Sequence, residues 1–152
     1  MPPLDSMYQC SLRGVTPGND FVSAVEKLAS GAVSHETRQR DRAYEGMFVH
    51  EDSVVLLAAL KDRHRSAAEA EVDQITMHSS RHDQGEKVVK AIYDQHRDEW
   101  RRVLGPLDPW VIDEETGTTY YWDWPATGVS ASIRYEEVDD RPYSVDLSLS
   151  AV

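Results

Sequence analysis

From Trp110 to Val152 the chain follows a single period. Four runs, WVID, TTYYWDW, VSASIRYEE and YSVDLSLSAV, are separated by EETG, PATG and VDDRP, clusters of the residues that make turns. In the last run Tyr143, Val145, Leu147 and Leu149 alternate with Ser144, Asp146, Ser148 and Ser150. Successive side chains of a strand point to opposite faces, so this alternation builds one apolar row and one wet row. Residues 110–152 are therefore expected to form an antiparallel meander with one buried face. Such a face needs a cover, and the preceding sequence offers one.

Residues 86–104 carry Val89, Ile92, Tyr93, His96, Trp100, Val103 and Leu104 at spacings of three and four, an amphipathic helical stripe. Ile92 and Trp100 are expected inside, and Asp94, Asp98 and Arg101 outside. Asp83 stands three residues ahead of Glu86 as a capping-box start, Arg101 and Arg102 suit the negative end of the dipole, and GPLDP ends the element. A second helix is expected over residues 53–82, a stretch without Gly or Pro, and the two helices would form a hairpin. Nearer the start, YQCSL (8–12) reads as a half-buried strand with Tyr8, Cys10 and Leu12 inward. PGND then feeds a helix, FVSAVEKLAS, with Val22, Val25, Leu28 and Ala29 on one stripe and Gly31 as its stop. HETRQRDRAYEG (35–46) reads as a charged connector that helical structure would also suit, and GMFVHE as a short strand. The expected fold is α+β: a single two-layer domain over 1–152, with an N-terminal strand and helix, a central helical hairpin and a C-terminal antiparallel β-meander. Its helical part covers about 20–105 and its sheet about 110–152.

A chain of 152 residues, 40% of them hydrophobic, can bury a core without staples. The single Cys10 excludes an internal disulfide and suits a reducing cytosol. No secretory pattern opens the chain, and the longest central apolar run, SVVLLAAL, falls well short of the roughly 20 residues that cross a bilayer. A cytoplasmic location without a membrane partner is expected. The net charge is −11, and its placement is uneven: residues 106–152 hold ten acidic and two basic side chains, a net −8. Phosphate backbones call for clustered Lys and Arg, so direct nucleic-acid binding is not expected of that segment. Arg38, Arg40 and Arg42 form a basic island, but Glu36, Asp41 and Glu45 interleave with it as on a solvated surface.

On a strand, Tyr120, Trp122 and Trp124 share one face and read as the floor of the core, leaving Tyr121 and Asp123 on the opposite, acidic face. Tyrosine is a favoured interface anchor. The partner-binding candidates are accordingly Asp113, Glu114, Glu115, Tyr121, Asp123, Glu136, Glu137, Asp139 and Asp140. The expected function is that of a small acidic non-enzymatic binding protein. It would be an inhibitor of the immunity, antitoxin or anti-defence type, occluding a basic partner such as a nucleic-acid-processing protein, with no cofactor. The alternative is a metal-dependent hydrolase built on His78 and His82, which a continuous helix would present at i and i+4 to one ion. A third reading is a structural or oligomerising protein, of viral type, whose acidity is solubilising. HRD at 96–98 falls inside a helical stripe with Val103 where a kinase has Asn, and no phosphate loop, GxSxG elbow or CxxC pair is present. Cys10 reads as core, not as a nucleophile.

Overall fold

The computed structural model of the chain describes residues 10–64, 66–80, 85–124, 129–139 and 143–151. Eight strands form one sheet: β1 (Ser34–Gln39), β2 (Ala43–Val49), β3 (Val54–Leu60), β4 (Gln74–Ser80), β5 (Trp110–Glu114), β6 (Gly117–Trp124), β7 (Val129–Val138) and β8 (Ser144–Ala151). Their spatial order is β1-β2-β3-β4-β8-β7-β6-β5, and every neighbouring pair is antiparallel. Two four-stranded meanders thus meet at the β4–β8 seam. Helix α1 (Phe21–Ala29) packs on β2 and β3, and helix α2 (Gly85–Leu104) on β4, β8 and β7. Both helices lie against the sheet face that carries the buried rows, which gives a two-layer α+β arrangement dominated by its sheet.

The second meander follows the expected alternation. Val145, Leu147 and Leu149 are buried, and across the ladder they meet Tyr135, Ile133 and Ala131, also buried. Trp122 and Trp124 are buried and Tyr120 packs on the core, as their shared face requires. Helix α2 is pinned to that row by polar handles: the Trp122 indole N–H donates to the Tyr93 hydroxyl at 3.0 Å, and that of Trp124 to the Gly105 carbonyl at 3.1 Å. These acceptors satisfy the indole N–H groups of Trp122 and Trp124 inside the core, and the Tyr93 ring stacks on that of Tyr135 with centroids 4.1 Å apart. Along α2, Val89, Tyr93, Trp100 and Leu104 are buried and Ile92 is half-buried. Asp98 is exposed, whereas Arg101, expected outside, is half-buried with its guanidinium 5.5 Å from the Trp122 ring. Its long aliphatic stem covers apolar surface while the charge rides on the indole.

The first meander corrects the expected helical hairpin. Residues 53–82 do not form a helix: they hold β3, a 3-10 turn (Lys61–Arg63) and β4, as far as the described residues reach. In β3, Val55, Leu57 and Ala59 are buried, while Leu56 and Leu60 emerge on the far side. An apolar run on both sides of a strand carries no period-two signature, and this hides it from a pattern reading. In β4, Ile75, Met77 and Ser79 point inward and Gln74, Thr76, His78 and Ser80 outward. Asp73 fastens the long β3–β4 connection, accepting from the Leu60 amide at 2.6 Å, Arg63 Nη1 at 3.0 Å and pairing with His64 Nε2 at 3.1 Å.

The connector 35–46 is likewise strand: β1 and the start of β2 joined by a turn closed by the Arg40 amide on the Ala43 carbonyl. Arg38 and Arg40 both pair with Glu45, which accounts for most of the basic island locally. The expected N-terminal strand is not formed over its described part. Cys10 and Leu12 are buried, but Leu12 and Val15 close a two-residue turn in which Arg13 and Gly14 adopt φ of 50° and 80°. Tyr8, Asp83 and the PATG turn lie outside the described residues. Helix α1 is capped as its sequence implies, with Asp20 accepting from the Ser23 amide and Gly31 in the left-handed region beyond its end. It buries Phe21, Ala24 and Leu28, whereas Val22 is exposed.

Candidate functional site

One face of the sheet carries no helix among the described residues, and directly paired residues across the ladder share it. One row on this face runs from strand to strand as Val49, Val54, His78, Asp146, Arg134, Tyr121 and Trp110. A neighbouring row runs Glu36, Met47, Leu56, Thr76, Ser148, Ser132 and Asp123. The middle of the face is thus paved with short polar side chains, and larger groups stand towards its two ends. Over β1–β4, Met47, Leu56 and Ala58 floor a groove of about 320 Å³ rimmed by Glu36, Arg38 and Glu45.

Over β5–β7 lies a smaller depression of about 210 Å³, lined by Ile112, Glu114, Thr119, Tyr121, Arg134 and Glu136 among others. Three of the residues singled out from sequence, Glu114, Tyr121 and Glu136, converge there. Their convergence follows from strand parity and register: Thr119 lies opposite both Ile112 and Glu136, and Tyr121 opposite both Trp110 and Arg134. The Arg134 guanidinium lies 5.6 Å from the Tyr121 ring centre and donates to Glu136 Oε1 at 2.5 Å. Glu136 also accepts from the Ser144 hydroxyl at 3.2 Å. The result is a flat aromatic surface bordered by carboxylates, with one internal cation stacked on it.

The other candidates are distributed by the same parity. Asp123 is exposed on the open face, across from Ser132. Asp113 and Glu137 belong to the helix-bearing side: Asp113 Oδ1 accepts from the Thr118 hydroxyl at 2.9 Å, and Glu137 from the Tyr135 hydroxyl at 2.6 Å. Burial, then the Glu137 carboxylate, pushes the Tyr135 pKa well above its ordinary value, so this phenol keeps its proton. Glu115 sits in the β5–β6 turn, and the Asp139 amide donates to the Thr116 carbonyl at 2.6 Å, which brings Glu114, Glu115 and Asp139 to one end of the sheet. Asp140 lies outside the described residues. The eight described candidates therefore divide between two faces and one end.

The helical face that would have paired His78 with His82 does not exist, because His78 stands in β4; His82 lies outside the described residues. His78 Nδ1 instead meets Asp146 Oδ1 at 2.6 Å across the β4–β8 seam, both groups about half exposed. Among the described residues no group of three or more His, Cys, Asp or Glu side chains is placed to hold a metal ion. Sequence reasoning missed the groove over β1–β4, since β3 and β4 were expected to be helix and β1 a charged connector. It also missed the exposure of Trp110 at the outer end of the His78–Asp146–Arg134–Tyr121 row. The WVID run did signal a strand, but position at the rim of a sheet leaves no mark in local sequence. No helix among the described residues is long and apolar enough to cross a membrane. Compared with family models, curated protein sequences and solved structures, the chain matches none.

Proposed function

We propose that this protein is a non-enzymatic binding protein that occludes a basic partner, an inhibitor of the immunity or antitoxin type, with the uncovered sheet face as its docking surface. The observation that carries this reading is the depression over β5–β7, which Tyr121 lines together with Glu114 and Glu136 in the segment holding −8 of the −11 charge. Acidic groups on this face and at the adjoining turns are carried by neighbouring strands of one sheet, and their summed field draws an approaching cation. Tyr121 supplies the desolvated anchor that charge alone lacks. Only one described basic side chain, Arg134, stands on this half of the face, and it is already engaged by Glu136 and Tyr121. A partner's Lys or Arg meets the remaining carboxylates without repulsion from a free cation.

The test is recovery of the partner from the native host followed by association kinetics over a range of salt. Steered association predicts an on-rate that falls steeply as salt rises. Neutralising exposed carboxylates, in Glu114→Gln with Asp123→Asn, mainly slows association, whereas Tyr121→Ala mainly hastens release. Recovery of an acidic partner, or kinetics indifferent to salt, overturns the reading.

A further inference from the structure

The sheet ends in two edge strands, β1 on one side and β5 on the other, and the two are defended differently. The β1 edge presents His35, Glu36 and Arg38, all exposed. Charged side chains of this kind discourage further strand pairing. The β5 edge opens with three apolar residues in succession: Trp110, Val111 and Ile112 are 81%, 52% and 49% exposed. By register Trp110 and Ile112 lie on the open face and Val111 on the helix-bearing side, so the strand is apolar on both sides and every residue of it is exposed. Its outer backbone groups have no ladder partner among the described residues. An unguarded apolar edge of this sort is a template for another strand.

Charge decides which strand. Asp113, Glu114 and Glu115 follow the apolar triplet directly. Paired antiparallel, a second copy would bring two chains of −11 together and set only apolar residues opposite Asp113 and Glu114, leaving these carboxylates uncompensated. A basic segment meets them favourably.

Resting on the basic-partner reading above, we propose that β5 takes up an extended segment of the partner as a ninth strand. In antiparallel register the residues opposite Glu114 and Asp113 are Lys or Arg, and those opposite Ile112, Val111 and Trp110 are apolar. Read from its N-terminus, the segment therefore carries two basic residues followed by three apolar ones. Main-chain hydrogen bonds to the edge supply affinity, and the cross-strand pairs supply selectivity.

The experiment titrates the full chain with a synthetic peptide containing Arg-Lys-Val-Ile-Val and follows backbone amide shifts. Two comparison peptides carry Glu-Asp in place of Arg-Lys, or Ser-Ser-Ser in place of Val-Ile-Val. The first peptide is expected to shift the amides of Trp110–Glu114 and to bind about tenfold more tightly than either comparison. Ile112→Lys is expected to weaken it by a similar factor while leaving amides away from β5 unchanged. Binding that maps to Tyr121, Arg134 and Ser148 instead overturns the ninth strand and leaves the basic-partner reading standing. Equal affinity for the acidic peptide overturns both. Absence of binding at β5, or a chain that already dimerises through β5 at neutral pH in sedimentation equilibrium, overturns the proposal.

Discussion

The Cys10 thiol is fully buried, and burial, followed by the nearby Glu99 carboxylate, pushes its pKa up to about 12. The thiolate is the reactive form, so this cysteine is inert in the fold. A thiol reagent such as dithiobis-nitrobenzoate is expected to leave the native protein unmodified at mildly alkaline pH and to modify it stoichiometrically in denaturant. His50 is also buried, and burial, then Arg13, lowers its pKa from the ordinary 6.5, with Gly31 and Asp52 pulling weakly the other way. A depressed histidine pKa means that the unfolded chain binds the proton first as pH falls. Its contribution to stability is therefore complete above about pH 6.5 and is lost progressively below it. Urea midpoints are expected to decline from neutral to mildly acidic pH, and His50→Leu to flatten that decline. An identical slope in the variant would assign the acid sensitivity to other groups.

Helix α2 was legible because its stripe reports burial on one side only, and Trp100, at 0% exposure, sits where the spacing puts it. Its ring meets those of His96 and Trp124 edge-on, at 5.7 and 6.2 Å. Trp100→Ala is expected to cost about 3–5 kcal/mol, read as a shift of the urea midpoint at unchanged slope. A midpoint that does not move would mean that the site collapses around the loss. The strands of the second meander were legible for the same reason, since SVDLSLS writes its two faces in alternate letters. β3 was not. Val54, Leu56 and Leu60 face outward although they are as apolar as Val55 and Leu57, so no local period separates strand from helix there. What decides the matter is the ladder with β2 and β4, a pairing between segments that sequence position does not reveal. The candidate site shared this fate in part: Glu114, Tyr121 and Glu136 converge as parity requires, while Arg134 enters only through the register of β6 on β7.

At the scale of the molecule, one open sheet has two exposed edges, and net charge stands between the less guarded one and self-pairing. Centred on Ile112, an antiparallel pairing of β5 with another β5 sets Trp110 opposite Glu114 and Val111 opposite Asp113, with no like charges directly across. Local complementarity therefore permits it. What opposes it at neutral pH is the repulsion of two chains of −11, concentrated by the acidic residues at the strand's end. That opposition vanishes near the isoelectric point of about 4.9. Light scattering coupled to size exclusion is expected to show a single species at neutral pH and association as the pH approaches that value. Ile112→Lys places a charge in the middle of the edge and is expected to suppress the association. Leu60→Lys adds the same charge to an exposed residue of the interior strand β3, 42% exposed, and serves as the comparison. If both variants suppress association equally, net charge alone controls it and the β5 edge has no special part. If only Ile112→Lys does so, the edge is the adhesive element, held in check at neutral pH by the acidity that also suits it to a basic strand.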